Sequence, residues 1–161
     1  MNPPSLVATL AGVVFLGVAP PLFANLERFE LANACEPIAL IVEELDREER
    51  AIGLTQAAIA TTVRSRLRAA RLYEARPGPF LYVYVNVFGS AFSVRVAFNK
   101  MLFDPISGLK FGATTWQDSA TGEGREVADL ILSWIGQSTD RFLDAYLRVN
   151  APACPRGPLD P

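Results

Sequence analysis

The 161-residue chain has no histidine, and its only cysteines are Cys35 and Cys154. Without histidine, Ser-His-Asp and Cys-His catalysis are excluded in their usual forms, and the commonest ligand of zinc and copper is missing. A glycine-rich phosphate loop is also absent, because Gly122 and Gly124 lack the flanking strand and the lysine of such a loop. We therefore expect a protein that is not an enzyme and that carries no cofactor and no metal ion.

Charged residues are absent from positions 1–24, where Leu6 to Ala19 is an almost unbroken apolar run followed by Pro20 and Pro21. A proline pair stops a helix, which leaves about 14 helical residues where about 20 are needed to cross a bilayer. A short apolar run that ends near a small residue, here Ala24, is typical of a secretory signal. The sequence predicts that residues 1–24 are a signal peptide and that the protein is exported. The alternative, an uncleaved N-terminal anchor, stays open.

An exported chain with two cysteines has one intramolecular pairing available, since disulfides persist in oxidising compartments. We predict a disulfide between Cys35 and Cys154. A lipid-modified Cys35 is not expected, because Glu27, Arg28 and Glu30 separate it from the apolar run.

The mature part, residues 25–161, is long enough for a single domain with its own core. All 15 basic and 17 acidic residues fall in this part, with a net charge of −2 and no tail of one sign, so no nucleic-acid partner is indicated. Arginine greatly outnumbers lysine, a composition typical of GC-rich bacterial genomes, which favours a periplasmic location.

The first part of the domain predicts a strand and a helix. Pro37 to Leu45 is rich in isoleucine and valine and indicates a buried strand. Thr55 is a good N-cap for a helix that extends to about Leu72. The apolar face of this helix carries Ile59, Val63, Leu67 and Ala70.

Two strands between Phe80 and Phe103 meet at Gly89-Ser90, a pair suited to a type II′ hairpin. If Phe88 pairs with Ala91, both strands sort into an apolar and a more polar face. The face expected to meet the helices carries Leu81, Val83, Val85, Val87, Phe92, Val94, Val96 and Phe98. The outer face carries Phe80, Tyr82, Tyr84, Asn86, Ser93, Arg95, Ala97 and Asn99.

The last part of the chain predicts a further strand and a long helix. The alternation breaks near Asn99 to Lys100, which predicts a β-bulge. A turn from Asp104 to Gly108, a strand from Lys110 to Trp116 and a loop from Thr121 to Gly124 follow. The helix ends near Asn150, and its apolar side carries Val127, Leu130, Ile131, Trp134, Ile135, Phe142, Leu143, Tyr146 and Leu147.

The predicted fold class is α+β. The elements follow the order β-α-β-β-β-α, and we expect a two-layer sandwich in which an antiparallel sheet has both helices on one face.

Five segments resemble an uncharacterised family of small exported, periplasmic bacterial proteins: Gly53 to Thr55, Arg64 to Tyr73, Leu81 to Val87, Thr114 to Trp116 and Tyr146 to Asn150. The resemblance extends over nearly the whole mature chain. It implies an exported location and a single domain, and it implies no substrate and no catalytic residue, because the family has no assigned activity. The strand order is also similar to that of small envelope-assembly domains of Gram-negative bacteria, a likeness of architecture that does not fix function.

Three charged patterns are expected to have ordinary structural roles. Glu43 to Glu49 indicates a solvated surface with local ion pairs. The Ser-x-x-Lys pattern from Ser107 to Lys110 lies in a predicted turn, which does not bring the lysine onto the serine. Arg64, Arg68 and Arg71 lie on the helix side away from the apolar face and are expected to meet solvent. The alternative for these arginines is a strip that binds a lipid head group or a polyanion.

The candidate partner surface consists of Tyr82, Tyr84 and Arg95 on the outer sheet face, together with Trp116. A contiguous exposed aromatic patch marks a binding surface. Two alternatives stay open: Asn25 to Ala34 folds back over the patch, or Tyr84 stacks on Arg95 without a partner.

Two functions fit these expectations. The first is a non-catalytic periplasmic binding or envelope-assembly module whose partner is a protein or another envelope component. The second is an accessory subunit of a larger complex, tethered to the membrane by an uncleaved N-terminal helix.

Overall fold

The computed structural model describes residues 22–124 and 127–154. These residues form helices α1 (Leu22–Leu31), α2 (Arg47–Ala51), α3 (Gln56–Ala69) and α4 (Val127–Asn150) and strands β1 (Ala39–Val42), β2 (Phe80–Phe88), β3 (Ala91–Phe103) and β4 (Lys110–Glu123). Most of the predicted signal peptide, residues 1–21, lies outside the described residues. The predicted cleavage point after Ala24 falls within α1.

The described strands form one sheet in the order β1-β2-β3-β4. Strands β2, β3 and β4 are antiparallel neighbours, as predicted, but β1 pairs parallel with β2, Ala39 opposite Phe80 and Val42 opposite Val83. The expectation of an antiparallel sheet is wrong for this pair. Because a helix lies between β1 and β2, the chain returns along it and re-enters the sheet at the end where β1 began. The fold is α+β with a mixed, open sheet.

The β2–β3 hairpin has the predicted register, with Phe88 opposite Ala91 and Val85 opposite Val94. Gly89 takes a φ of +61° in the turn, a conformation that glycine adopts without steric cost. All the side chains predicted for the inner face are buried: Leu81, Val83, Val85, Val87, Phe92, Val94, Val96 and Phe98.

A β-bulge lies beside Asn99, close to the predicted position. Its extra residue belongs to β4 rather than to β3, because Phe98 pairs with Trp116 whereas Asn99 pairs with Thr114, which leaves Thr115 without an opposite residue. The inner and outer faces of β4 are therefore exchanged at Thr115.

Helices α3 and α4 cover the inner face of the sheet. As predicted, the Thr55 hydroxyl caps α3 by accepting the N–H of Ala58 at 3.0 Å. The predicted loop from Thr121 to Gly124 is largely the end of β4, because its residues pair with the start of β3. The buried apolar side chains of the two helices are Ile59, Ala60, Val63, Leu67, Val127, Ile131, Ile135, Phe142, Leu143 and Tyr146. Leu130 and Leu147, at the margin of the α4 stripe, remain 46% and 37% exposed.

The charged segment after β1 contains a helix with a buried carboxylate. Asp46 caps α2 by accepting the N–H groups of Glu48 and Glu49, and the Glu49 carboxylate accepts the Asp46 N–H at 2.6 Å in return. Glu49 is 2% exposed and also accepts the N–H of Val87 in β2 at 2.9 Å. Burial raises the pKa of the Glu49 carboxyl. The pKa of Asp46 is lowered, and the largest cause is its side-chain hydrogen bond with Glu49. The expectation of a solvated surface from Glu43 to Glu49 is therefore wrong at Glu49.

The predicted disulfide joins the two ends of the domain. Cys35, which follows α1, is bonded to Cys154, which follows α4, with the two Cα atoms 4.9 Å apart. Beside it, the Asn150 side chain accepts the N–H of Asn33 at 2.8 Å and donates to the carbonyl of Leu31 at 2.9 Å. Cys35 therefore has no free thiol for lipid attachment.

Helix α1 lies on the same side of the sheet as α4 and contacts both α4 and β4. The Lys100 ammonium donates to the carbonyls of Phe29 and Ala32 at 2.7 and 2.8 Å, which places a positive charge at the C-terminal end of the helix. The Thr115 hydroxyl donates to the carbonyl of Glu30 at 2.6 Å. None of α1, α3 and α4 covers the outer face of the sheet.

Candidate functional site

The outer face of the sheet holds three of the four residues predicted as a partner surface. Tyr82 lies opposite Ala97, and Tyr84 lies opposite Arg95, across the β2–β3 pair. Both tyrosines are partly exposed, and Arg95 is exposed. Because cross-strand neighbours share a face, the three side chains form one cluster, which we call the Tyr-Arg face (Tyr82, Tyr84 and Arg95).

Trp116, the fourth predicted residue, lies on the opposite side of the sheet. It pairs with Phe98 of the inner face, and its ring centroid lies 5.2 Å from that of Phe142 in α4. Strict alternation from Thr114 would turn Trp116 outward, but the extra residue Thr115 reverses the direction of the side chains that follow it. Trp116 is half-buried and packs against the core, and it does not belong to the Tyr-Arg face.

The segment from Asn25 to Ala34 does not cover the Tyr-Arg face. Its helical part packs on the other side of the sheet, and the N–H of Asn33 is bound by Asn150. The alternative of cover by this segment is therefore wrong. The stacking alternative describes a real contact, since the Arg95 guanidinium carbon lies 5.5 Å from the ring centroid of Tyr84.

Arg95 has no carboxylate partner within salt-bridge distance among the described residues. The ion pairs found there use other arginines, namely Arg66, Arg76, Arg141 and Arg148. A guanidinium presents several N–H donors in a planar fork that matches a carboxylate. Arg95 is thus equipped to bind an acidic group that another molecule brings to this face.

Strand β1 contributes to the edge of the Tyr-Arg face. The Tyr82 hydroxyl donates a short hydrogen bond to the carboxylate of Glu43, which follows β1. This hydrogen bond is the largest cause that raises the pKa of Tyr82, and partial burial adds to it. Ile41, which is 45% exposed, lies beside Tyr82 in the parallel pair. The prediction of a buried strand from Pro37 to Leu45 missed both Ile41 and Glu43. The sequence of Ala39–Val42 is apolar at every position and therefore carries no alternation that would indicate its exposed face.

Two depressions of the surface lie on either side of Arg95. One has a volume of about 670 Å³ and is lined by Tyr84, Ser93, Arg95, Gln117, Ser119 and Thr121, among others. The other has a volume of about 360 Å³ and is lined by Ile41, Phe80, Tyr82, Arg95, Asn99 and Thr114, among others. Hydroxyl, amide and aromatic groups thus surround a single guanidinium on an open surface.

The remaining sequence patterns have structural contacts. Arg68 and Arg71 are exposed, as predicted, whereas Arg64 is half-buried. Arg64 and Arg68 lie over the ring of Tyr73 at 5.7 and 5.0 Å. The Ser107 hydroxyl donates to Asp104 and not to a lysine. The described ranges contain no group of three or more cysteines and carboxylates placed to hold a metal ion.

No protein-family model and no curated protein matches the chain. Solved structures include a "putative lipoprotein" from Caulobacter crescentus, similar over 82% of this chain and 99% of its own, with 13% sequence identity and a TM-score of 0.30. A likeness at this score carries no argument about fold or function. The resemblance to a family of exported bacterial proteins therefore stays a prediction. Among the described helices, none has the length and apolar character needed to cross a bilayer.

Proposed function

We propose that the protein is an exported, non-catalytic binding module of the bacterial envelope that docks a protein partner on the Tyr-Arg face. One observation carries this proposal. Arg95 stacks on Tyr84 without a described carboxylate partner, on a sheet face that α1, α3 and α4 leave uncovered. The partner is expected to bring an acidic side chain to Arg95 and an apolar or aromatic contact to the tyrosines.

Export is supported by two independent features. The uncharged run before α1 has the form of a signal. The disulfide between Cys35 and Cys154 belongs to proteins that fold in an oxidising compartment.

The chemistry of the Tyr-Arg face favours binding over catalysis. Its one close pair of an acid and a hydroxyl is Glu43 with Tyr82, and this contact raises the pKa of Tyr82. A tyrosine that acts as a nucleophile or general base needs its pKa lowered toward the working pH. The pair therefore positions the ring of Tyr82 rather than activates its oxygen.

The shape and composition of the face favour a protein over a small molecule. Small-molecule sites are concave, largely apolar and enclose their ligand, whereas both depressions beside Arg95 are open and polar side chains line most of the larger one. Tyrosine and arginine are enriched at the energetically dominant positions of protein interfaces. The outer face of the sheet covers roughly 600 Å² where four strands lie side by side, for strands about 4.8 Å apart that rise about 3.3 Å per residue. This area fits a modest, reversible interface of somewhat under about 800 Å² per partner.

The test replaces both tyrosines by serine, Tyr82→Ser/Tyr84→Ser, in protein produced in its native host. Because neither side chain is in the core, the melting temperature should change little, while the amount of partner that co-purifies from the envelope fraction should fall at least about tenfold. Leu130→Ser is the matched control, since Leu130 is 46% exposed on α4, on the other side of the sheet. Arg95→Glu should weaken capture further, because it opposes the acidic group of the partner.

Unchanged capture by the tyrosine variant would contradict the proposal. So would a large loss of stability in the absence of any partner, because the face would then be covered by the protein's own chain. Intact mass of the native protein separates the exported module from the tethered subunit, since the module lacks residues 1–24 and the tethered form retains them.

A further inference from the structure

The β3–β4 hairpin projects beyond the rest of the sheet. The two strands stay paired as far as Phe103 opposite Lys110, whereas β2 reaches only the level of Asn99. The last residues of β3 and the first residues of β4 therefore form a two-stranded extension, and we call its end, Met101 to Phe111, the hairpin tip.

The hairpin tip concentrates exposed apolar side chains. Five of the eleven exposed large apolar side chains of the described residues lie within it: Met101, Phe103, Ile106, Leu109 and Phe111. Ile106 is 96% exposed and Leu109 is 65% exposed. Apolar residues scattered singly on a surface are ordinary, but a contiguous group marks an interaction site.

The apolar side chains lie on both faces of the hairpin tip. Phe103 pairs with Lys110 and Leu102 pairs with Phe111 in consecutive positions of the ladder, so Phe103 and Phe111 point to opposite faces. A docked helix, or a segment of this chain laid on the tip, covers one face only. An occupant that contacts both faces and the turn has to surround the tip, as a lipid bilayer does.

Several polar groups of the turn are bonded within the turn itself. The Asp104 carboxylate accepts the N–H of Ile106 at 2.9 Å and the hydroxyl of Ser107. The Asp104 N–H donates to the carbonyl of Leu109, and the Gly108 N–H donates to the carbonyl of Asp104, both at 2.9 Å. Unsatisfied backbone groups are the main obstacle to entry into an apolar phase, and these bonds reduce that obstacle.

The chain has two lysines, Lys100 directly before the hairpin tip and Lys110 within it. Lys110 follows the turn, where its long side chain can place an ammonium at the level of lipid head groups. Lys100 fastens the base of the hairpin to the end of α1. In the sequence, most of α1 follows the predicted signal peptide, so the hairpin base is tied to the first described element of the chain.

We propose that the hairpin tip inserts into the surface of a lipid bilayer that contains anionic head groups. Ile106, Leu109 and the flanking aromatic side chains enter the upper acyl region, and Lys110 meets the head groups. This contact does not depend on the Tyr-Arg face, and it does not require residues 1–24 to remain attached.

The test measures co-flotation with vesicles of phosphatidylethanolamine and phosphatidylglycerol. The chain used begins at Leu22, because the buried core described above lies between Leu31 and Asn150 and the apolar run would bind vesicles by itself. Ile106→Ser/Leu109→Ser should lower the partition coefficient at least about tenfold, since two large aliphatic side chains no longer enter the acyl region. Phe88→Ser is the matched control: Phe88 is 81% exposed beside the turn at the other end of the sheet, and its loss should leave flotation unchanged. Equal melting temperatures would show that all three chains are folded.

A second measurement reports depth. Tryptophan introduced as Ile106→Trp should be quenched by brominated lipid, and tryptophan introduced as Phe88→Trp should not. The proposal is overturned if the unaltered chain does not float, if all three chains float equally, or if quenching is the same at both positions. It is also overturned if the unaltered chain is a dimer in solution and the double serine variant is a monomer, because the tip would then bind a second copy.

Discussion

Val85 and Asn86 are neighbours in β2 that point to opposite sides of the sheet. Val85 is 7% exposed on the inner face, and Asn86 is exposed on the outer face. Val85→Asp places a carboxylate in the core, and we expect a loss of about 4 kcal/mol or more in the free energy of unfolding. Asn86→Asp should change it by less than about 0.5 kcal/mol. Urea unfolding of both variants checks the register, and equal destabilisation would show that it is wrong.

Glu49 is the residue whose role differs most from its sequence pattern. Its carboxylate accepts the N–H groups of Asp46 and Val87, so Glu49→Ala removes the capping box of α2 and leaves a buried N–H in β2 without a partner. We expect a loss of about 2 to 3 kcal/mol in the free energy of unfolding. Glu48→Ala, an exposed position of the same helix, is the control and should cost less than about 0.5 kcal/mol. If denaturant unfolding gives the same value for both, the contact with Val87 has no energetic role.

At the scale of elements, α3 ends in a Schellman motif with an arginine where glycine is usual. The Leu72 N–H donates to the carbonyl of Leu67 at 2.8 Å and the Arg71 N–H to that of Arg68 at 2.9 Å, while Arg71 takes a φ of +59°. Arg71→Gly removes the steric cost of this conformation and should raise the free energy of unfolding by about 0.5 to 1 kcal/mol. Arg71→Ala keeps the steric cost and should bring no gain. Thermal unfolding of the two variants separates backbone strain from loss of charge. An equal change in melting temperature for both would show that the backbone of Arg71 is not strained.

The hairpin could be predicted from the sequence because its information is local. One turn at Gly89-Ser90 and the alternation on both sides of it determine the register. The parallel pairing of β1 could not be predicted in this way, because the same apolar run fits either direction. The position of Trp116 was missed because one extra residue, Thr115, reverses an alternation that otherwise looks regular. Glu49 was missed because its partner Val87 is 38 positions away in sequence.

The same distinction between local and long-range information applies to the candidate site. The positions of Tyr82, Tyr84 and Arg95 follow from the hairpin register, and the sequence indicated all three. The neighbours from β1, Ile41 and Glu43, depend on the parallel pairing, which the sequence pattern does not specify.

At the scale of the whole molecule, the disulfide joins the start and the end of the domain. Its cysteines are 119 residues apart, and closing so long a loop contributes about 4 to 5 kcal/mol in the chain-entropy model. Cys35→Ser/Cys154→Ser should therefore lower the free energy of unfolding by a large share of a typical domain stability of about 5 to 15 kcal/mol. Urea unfolding of the variant, beside the unaltered protein with and without reductant, measures the effect. A loss below about 1 kcal/mol would mean that the hydrogen bonds of Asn150 already hold the two ends together.

Site-specific photo-crosslinking in the native host tests whether a protein docks on the Tyr-Arg face. A photoreactive phenylalanine analogue replaces Tyr84 in one strain and Leu130 in another, and the adducts are identified by mass spectrometry after irradiation of intact cells. We expect a defined protein adduct at position 84 that is absent at position 130 and is reduced when Arg95→Glu is added. No adduct at position 84, or the same adducts at both positions, would contradict docking on this face.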